Sequence, residues 1–583
     1  MLTPSNHQNG NTPIKSDHQH DAQTRALEGS RSRWWQLLIL GCLIAGLLLR
    51  CVNLGDKVYW YDEAFTLLRI SGHTEAEAVQ ALTSQQADPL DAQLDAQLTN
   101  SPRLFDPTAF QPYQQLNPDR GVGDTIRGLA LEEPQHTPLY YGLARLWAGW
   151  FGDSIAAVRS LSVLASVLAL PAMAWLCWEL FRSSSAAGLG TAILAVSPFQ
   201  VVYAQEARPT ALWTTTILIA SAALLQAIRK PNQTAWLIYG IALVTSFYSY
   251  LFSGFVAIAH TIYVLWTERL QLTKTLLFFV MVLSASVLLF SPWLLIIATN
   301  STQLNTVTNW VTVDHQFTLL SLMQIWAYHL ILPFVDSGEL VLPLALRILD
   351  DLIRWCIRLL LIYSVWRLWR QESLRVWLFV FLLAGVPVLM LTLPDLLSGG
   401  QRSTIPRYLV PVYLGFQLAV VYGLSQQWSH HNVRQWQKRI WATLTVLVLT
   451  VGLVSSVVIS QSESWWNKVH NTNVPRLAQT INQTERPLII SDAEISDLFA
   501  LSYYLEPKVR LLLRPQCYAC QVTDRSLVDS PYLPSLPSGF SDVFLYHPRP
   551  SATWLNRLQQ APYSVKPLSE GFNQWFWQIE QSQ

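Results

Sequence analysis

Runs of about twenty apolar residues, the length that crosses the hydrocarbon core of a bilayer, recur along most of this chain. Eleven lie between Trp34 and Ser460. Soluble layers cannot absorb so many full-length apolar runs. In lipid each run must satisfy its own backbone groups, which only a helix does along a single segment. The chain is therefore expected to be an α-helical polytopic membrane protein. Composition agrees, with 13% of its 583 residues charged and 51% hydrophobic, against roughly 25% charged in soluble domains. Lys plus Arg number 39 and Asp plus Glu 38, a net charge of +1, so no electrostatic case for a nucleic-acid partner exists.

The expected spans are Trp34 to Asn53, Ile155 to Phe181, Ala186 to Tyr203, Pro209 to Ile228, Ala235 to Ser249 and Phe252 to Trp266. The remaining five are Thr275 to Ile297, Leu340 to Trp366, Val376 to Leu393, Tyr408 to Ser425 and Ile440 to Ser460. With the N-terminus cytoplasmic, fourteen Lys or Arg residues fall in inner segments and only Arg208, Arg402 and Arg407 in short outer loops. That asymmetry is the positive-inside bias of a multi-pass plasma (inner) membrane protein. It divides the chain into a polar cytoplasmic tail at 1–33, expected to be disordered, and a transmembrane domain at 34–460. A large first outer loop falls at 55–153 and a soluble outer domain at 461–583.

In the first loop, the near-repeat from Ala87 to Leu98 is expected to form an amphipathic helix on the membrane surface. The tail reads as a small α/β or α+β domain. Strands are expected at Pro487 to Ser491, Val509 to Leu513, Val543 to His547 and Trp575 to Ile579, with helices at Ala493 to Leu505 and Ala552 to Gln560. Cys517-Tyr518-Ala519-Cys520 reads as a short local disulfide in an oxidising compartment.

Four clusters carry chemistry. Tyr59-Trp60-Tyr61-Asp62-Glu63-Ala64-Phe65 sets two carboxylates among aromatic residues just past the first span. Low dielectric raises the proton affinity of such a pair and prepares a general base, although a helix N-terminus favours the same residues. His136, in Gln135-His136-Thr137-Pro138-Leu139-Tyr140-Tyr141, closes the loop that Asp62 opens. Glu206 and Arg208 stand at the turn between spans three and four, as a functional pair or a structural anchor. Arg407 and Tyr408 stand at the mouth of the tenth span. A guanidinium there is suited to grip a phosphate through paired hydrogen bonds.

Taken in order, Asp62-Glu63, His136-Thr137-Pro138-Leu139-Tyr140-Tyr141, Phe151-Gly152-Asp153-Ser154 with Arg159, Gln205-Glu206-Ala207-Arg208-Pro209 and Arg407-Tyr408-Leu409-Val410-Pro411 resemble the multispanning glycosyltransferases of the GT-C fold. The branch most similar is that of bacterial relatives of the protein O-mannosyltransferases and the lipid A aminoarabinose transferase, over about residues 34–460. Thr137 stands where many of these relatives have a second proline, and the first loop is longer than in many of them.

The resemblance implies a GT-C-like fold with about eleven transmembrane helices. It also implies transfer of a sugar from a polyprenyl-phosphate donor to a glycan, lipid or protein acceptor at the outer face. Asp62 would be the general base of an inverting displacement, with Glu63 catalytic beside it, orienting the acceptor or tuning Asp62. His136, Arg159, Glu206, Arg208, Arg407 and Tyr408 would bind substrate. A carboxylate nucleophile with retention is the competing mechanism. No cofactor is expected to be required. Asp62, Glu63, His136 and Glu206 are the residue types that would take a divalent cation if one bound. A transporter or flippase of lipid-linked saccharides is the alternative from another class, but the inverted repeats common in transporters are not found.

Overall fold

The computed structural model describes residues 16–84, 104–312, 317–338, 343–429, 434–520, 536–546, 555, 558, 563–568 and 576–581. Among them, seven helices are long and apolar enough to cross a membrane: Arg33–Cys51, Ile155–Phe181, Thr210–Arg229, Lys274–Thr299, Leu374–Ser398, Pro406–Gln426 and Gln435–Asn471. A bent pair, Ser184–Ala195 with Pro198–Ala204, makes an eighth if it counts as one span, its halves meeting at 57°. Pro198 lacks the N–H that would continue the first half's ladder, so the chain turns there. The chain is an integral membrane protein.

Three of the expected runs fold as helices that fall short of a full apolar span. Gln233–Ser249 and Ser253–Thr267 have 17 and 15 residues and are separated by an extended Tyr250. Leu344–Gln371 is long enough at 28 residues, but Arg347, Asp350, Asp351, Arg354 and Arg358 interrupt its apolar surface. At the N-terminus one helix covers Ser16–Cys51, so residues 16–33, expected to be disordered, continue the first span as helix. Once a helix is nucleated, extending it costs little.

The first loop folds over one end of the bundle through helices Tyr61–Ser71, Glu75–Ser84, Val122–Glu132 and Leu139–Phe151. The near-repeat from Ala87 to Leu98 lies outside the described residues.

The C-terminal region carries a five-stranded sheet. Its strands are β1 (Pro487–Ser491), β2 (Arg510–Leu513), β3 (Asp542–Tyr546), β4 (Tyr563–Pro567) and β5 (Phe576–Gln581), in the order β2-β1-β3-β5-β4. β1 pairs in parallel with β2 and β3, while β5 runs antiparallel to β3 and β4. The helix Ile495–Ser502 makes the crossover from β1 to β2. Every residue of β1 is buried, as a parallel strand covered on both faces requires. The four expected strands are present within a residue or so. β4 was not anticipated, because its Ser564, Lys566 and Pro567 give an edge strand little apolar pattern. The expected helix from Ala552 to Gln560 lies almost wholly outside the described residues.

The sheet region is docked on the first loop by backbone contacts. Phe105 and Leu511 exchange two hydrogen bonds of 2.9 and 2.8 Å, Val58 N donates to Glu463 O at 2.8 Å, and Tyr59 N donates to the Tyr504 hydroxyl at 2.7 Å.

Candidate active site

The chain enters the helix Tyr61–Ser71 from an extended Trp60 that offers no side-chain cap. Asp62 and Glu63 fill the first turn, where the helix dipole favours negative charge. Adjacent helical positions point about 100° apart, and the two carboxylates enter different clusters.

Asp62 faces two arginines. Arg407 Nη1 donates to its Oδ2 at 2.5 Å, and Arg208 Nη2 stands 3.9 Å from the same oxygen. Arg208 Nη1 also donates to the Asp62 carbonyl at 3.1 Å and to Thr66 Oγ1 at 3.4 Å. Burial pushes the Asp62 carboxyl up, but the Arg208 and Arg407 guanidiniums outweigh it and hold the group below the ordinary carboxylate range. Asp62 in turn keeps the buried Arg208 charged.

His136 joins this cluster. Its Nε2 lies 3.4 Å from Arg208 Nη2 and 3.6 Å from Glu133 Oε1, and its ring is 5.9 Å from that of Tyr141. Burial first, then Arg208, pushes the imidazole down to about 4, so it is neutral at pH 7 and its Nε2 can accept from Arg208.

Glu63 is 0% exposed and fully engaged. Arg159 grips it with two bonds, Nε to Oε1 at 2.7 Å and Nη2 to Oε2 at 2.6 Å. Lys468 Nζ adds a third at 2.8 Å, and the Ala207 N–H a fourth at 2.9 Å. Burial opposes the charge, yet Arg159 and Lys468 hold Glu63 down to about 2. Arg159 spends its other donors on the carbonyls of Leu54, Lys57 and Val58 and is itself fully buried. Glu63 and Arg159, expected at the reacting centre, thus form a closed brace under it, because a carboxylate buried this deeply needs paired cations. Lys468 was missed in the sequence. Its one signal was a cation just beyond the last span, on the side expected to be poor in positive charge.

Glu206 and Arg208 do not pair, since Arg208 turns to Asp62. Glu206 Oε2 accepts from Asn467 Nδ2 at 3.1 Å. Burial, then Glu63, pushes the Glu206 carboxyl up. The Arg407 guanidinium carbon lies 5.8 Å from the Tyr408 ring centroid, and that ring packs edge-on against Phe252 at 4.9 Å. Arg402 stands apart, bound to Asp395 at 2.9 Å. Arg208, Arg407 and His136 therefore gather around Asp62, with Tyr408 beside Arg407.

Among the described residues, buried polar atoms without a hydrogen-bond partner in the segments that build this cluster include Trp60 Nε1, Gln135 Oε1, Thr137 Oγ1, the Tyr141 hydroxyl, Gln205 Oε1 and Glu206 Oε1. Each such atom costs about 1–3 kcal/mol if it is never satisfied. Their occurrence in the segments that carry Asp62, His136 and Arg208 suits a polar ligand that completes them. Among the described residues, no group of three or more His, Cys, Asp or Glu side chains could hold a metal ion. Asp62 and Glu63 are instead committed to cationic side chains.

Residues 135–296 match the family described as dolichyl-phosphate-mannose-protein mannosyltransferase. That stretch holds His136, Arg159, Glu206 and Arg208, while Asp62, Glu63 and Arg407 lie outside it. The three-dimensional likeness extends much further. The crystal structure of ArnT from Cupriavidus metallidurans bound to undecaprenyl phosphate matches with a TM-score of 0.52 and 11% identity, over 94% of this chain and 98% of that one. The fold is GT-C. The apo state of the same ArnT matches this GT-C chain with a TM-score of 0.50 and 12% identity, again over 94% and 98%. No curated protein matches the chain in sequence. At such identities the likeness is one of scaffold, and the GT-C site is defined here by its own side-chain geometry.

Proposed function

We propose that this protein is an integral-membrane inverting glycosyltransferase that moves a sugar from a polyprenyl-phosphate donor to an acceptor hydroxyl at the outer membrane face. The single observation that carries the reading is the buried Asp62 carboxylate held between Arg407 and Arg208. Two guanidiniums at one point suit a phosphate, and a carboxylate beside them suits a base. The family match at 135–296 and the ArnT crystallised with undecaprenyl phosphate support a lipid-phosphate donor.

The geometry also suggests how the base is switched on. In the free protein the arginines stabilise Asp62 as a carboxylate and make it a weak base. A donor phosphate competes for the same guanidiniums. As they turn to it, Asp62 loses countercharge and its proton affinity rises. Asp62 then takes the proton from the acceptor hydroxyl while that oxygen attacks the anomeric carbon. The bond from that carbon to the phosphate oxygen breaks, and the lipid phosphate leaves with its charge held by Arg208 and Arg407. One displacement inverts the anomeric centre.

Neutral His136 and the unpartnered polar atoms near it would bind the phosphate or sugar hydroxyls, with Glu206 and Tyr408 on the flanks. Glu63 and Arg159 act as positioning residues beneath Asp62. No metal ion enters this mechanism. The Lys and Arg distribution supports a cytoplasmic N-terminus and an outer catalytic face.

The test is turnover by the full-length protein in nanodiscs, supplied with polyprenyl-phosphate-linked sugars and candidate glycan, lipid and peptide acceptors. The expected result is release of polyprenyl phosphate with formation of a glycoside of inverted configuration. Release with retention would overturn the mechanism, and movement of intact donor across a vesicle membrane without sugar transfer would replace the enzyme with a transporter.

A further inference from the structure

The first loop and the C-terminal region meet at a carboxylate that the mechanism above does not use. Glu75 is 0% exposed. Its two oxygens accept the backbone N–H groups of Tyr518 and Ala519, each at 2.7 Å. Those two residues are the middle of the Cys517–Cys520 loop, which a disulfide closes. The loop is fixed further by Gln303 Nε2, which donates to the Ala519 carbonyl at 2.5 Å and to the Glu132 carbonyl at 3.0 Å.

From Glu75 an unbroken series of contacts runs to the reacting end. The Glu75 and Ala76 N–H groups donate to Glu132 at 2.7 and 2.9 Å. Glu132 accepts from Arg69 Nη1 at 2.6 Å, and Arg69 Nε donates to Glu133 at 2.9 Å. The backbone carries the last step, where His136 N donates to the Glu133 carbonyl at 2.9 Å. Arg69, Glu132 and Glu133 are all buried, so the middle of the series is shielded from solvent.

Burial, and then the neighbouring Glu132, pushes the Glu75 carboxyl up, while the Tyr518 and Ala519 amides act against that. If the loop were released, both oxygens of the buried Glu75 carboxyl would lose their amide donors while still facing Glu132, and the helix start at Glu75 would rearrange.

We propose that Glu75 is a positioning residue that couples the disulfide-closed loop of the C-terminal region to His136, so that sugar transfer depends on Cys517–Cys520 although neither cysteine touches the site. This rests on the reading of Asp62 and His136 as the reacting end. The coupling acts on His136 more than on the phosphate grip, because Arg208 keeps its contacts to the Asp62 carbonyl and Thr66, and Arg407 lies on another element.

The test compares the full-length wild type with Glu75→Gln, with the Cys517→Ser and Cys520→Ser pair, and with the three substitutions combined. Each set is expected to lower kcat about tenfold while donor KM moves less than about twofold, and the combination to be no slower than the slower of the two, because both sever one link. Losses that multiply, or a change in KM with kcat preserved, overturn the proposal. A second measurement does not need turnover. The Ala76 amide should exchange hydrogen about tenfold faster in both variants, while the Ile490 amide in β1 keeps its wild-type rate. If Ala76 keeps its protection, the coupling is wrong; if every amide loses protection in the cysteine variant, Glu75→Gln alone decides. A wild type that turns over no lipid-phosphate sugar sinks the enzymatic reading, whereas the exchange data still decide the coupling.

Discussion

Arg407 Nη1 and Asp62 Oδ2 are 2.5 Å apart although 345 residues separate them in the chain. The contact joins the mouth of a late membrane helix to the first turn after the first span. In the proposed mechanism it would give one carboxylate two roles in sequence, as countercharge to the arginines before donor binds and as base afterwards.

Replacing Asp62 by Asn keeps the shape and a hydrogen-bond acceptor for Arg407 but removes the base. Sugar transfer is expected to fall by about 10²–10⁴-fold in protein that circular dichroism shows to be folded, with the melting midpoint lowered because Arg208 and Arg407 lose their countercharge. Turnover within a few-fold of wild type would remove Asp62 from the mechanism.

Arg208→Lys and Arg407→Lys keep the charge and lose the planar fork. Each is expected to weaken donor binding by about tenfold, read as donor KM or as affinity for polyprenyl phosphate. Arg402→Lys serves as the control. Arg402 is bound to Asp395 away from the cluster, and its substitution should leave both values unchanged.

Glu63→Gln separates brace from catalyst. The variant leaves Arg159 and Lys468 buried without their carboxylate, an imbalance that typically costs about 3–5 kcal/mol. A thermal midpoint lowered by several degrees, together with proteolysis of the first loop at lower temperature, is the expected outcome. A variant that melts like wild type yet turns over slowly would return Glu63 to the reacting centre.

His136 sets a pH dependence. Its folded value is pushed down to about 4, against about 6.5 in an unfolded chain. Between those values the unfolded state binds the extra proton, so the contribution is intact above pH 6.5 and is lost as pH falls toward 4. Glu206 and Glu75 are shifted the other way and oppose this trend, so the difference between wild type and His136→Gln is the quantity to measure. The stability of wild type relative to the variant should decline as pH falls from 6.5 to 4. A difference that stays flat across that window would show that the fold does not lower the proton affinity of the imidazole.

Much of this protein was legible in its sequence because the relevant physics is local. Apolar run length decides which segments enter lipid, and short apolar runs between helical stretches marked four of the five strands. A scarcity of charge made Asp62, Arg208 and Arg407 conspicuous. What sequence could not divide was the pair Asp62-Glu63, two adjacent acids with the same neighbours in the chain.

Only the tertiary structure decided which of the two meets arginines 208 and 407 and which is sealed by Arg159 and Lys468, the latter 405 residues away. It likewise removed Arg402 from the group of misplaced cations, spent every donor of Arg159 beneath the site, and brought the Cys517–Cys520 loop onto Glu75. In each case the cause is the same. The energy of a charge in a dry interior is set by the few groups within hydrogen-bonding reach, and in a folded chain those groups come from anywhere along it.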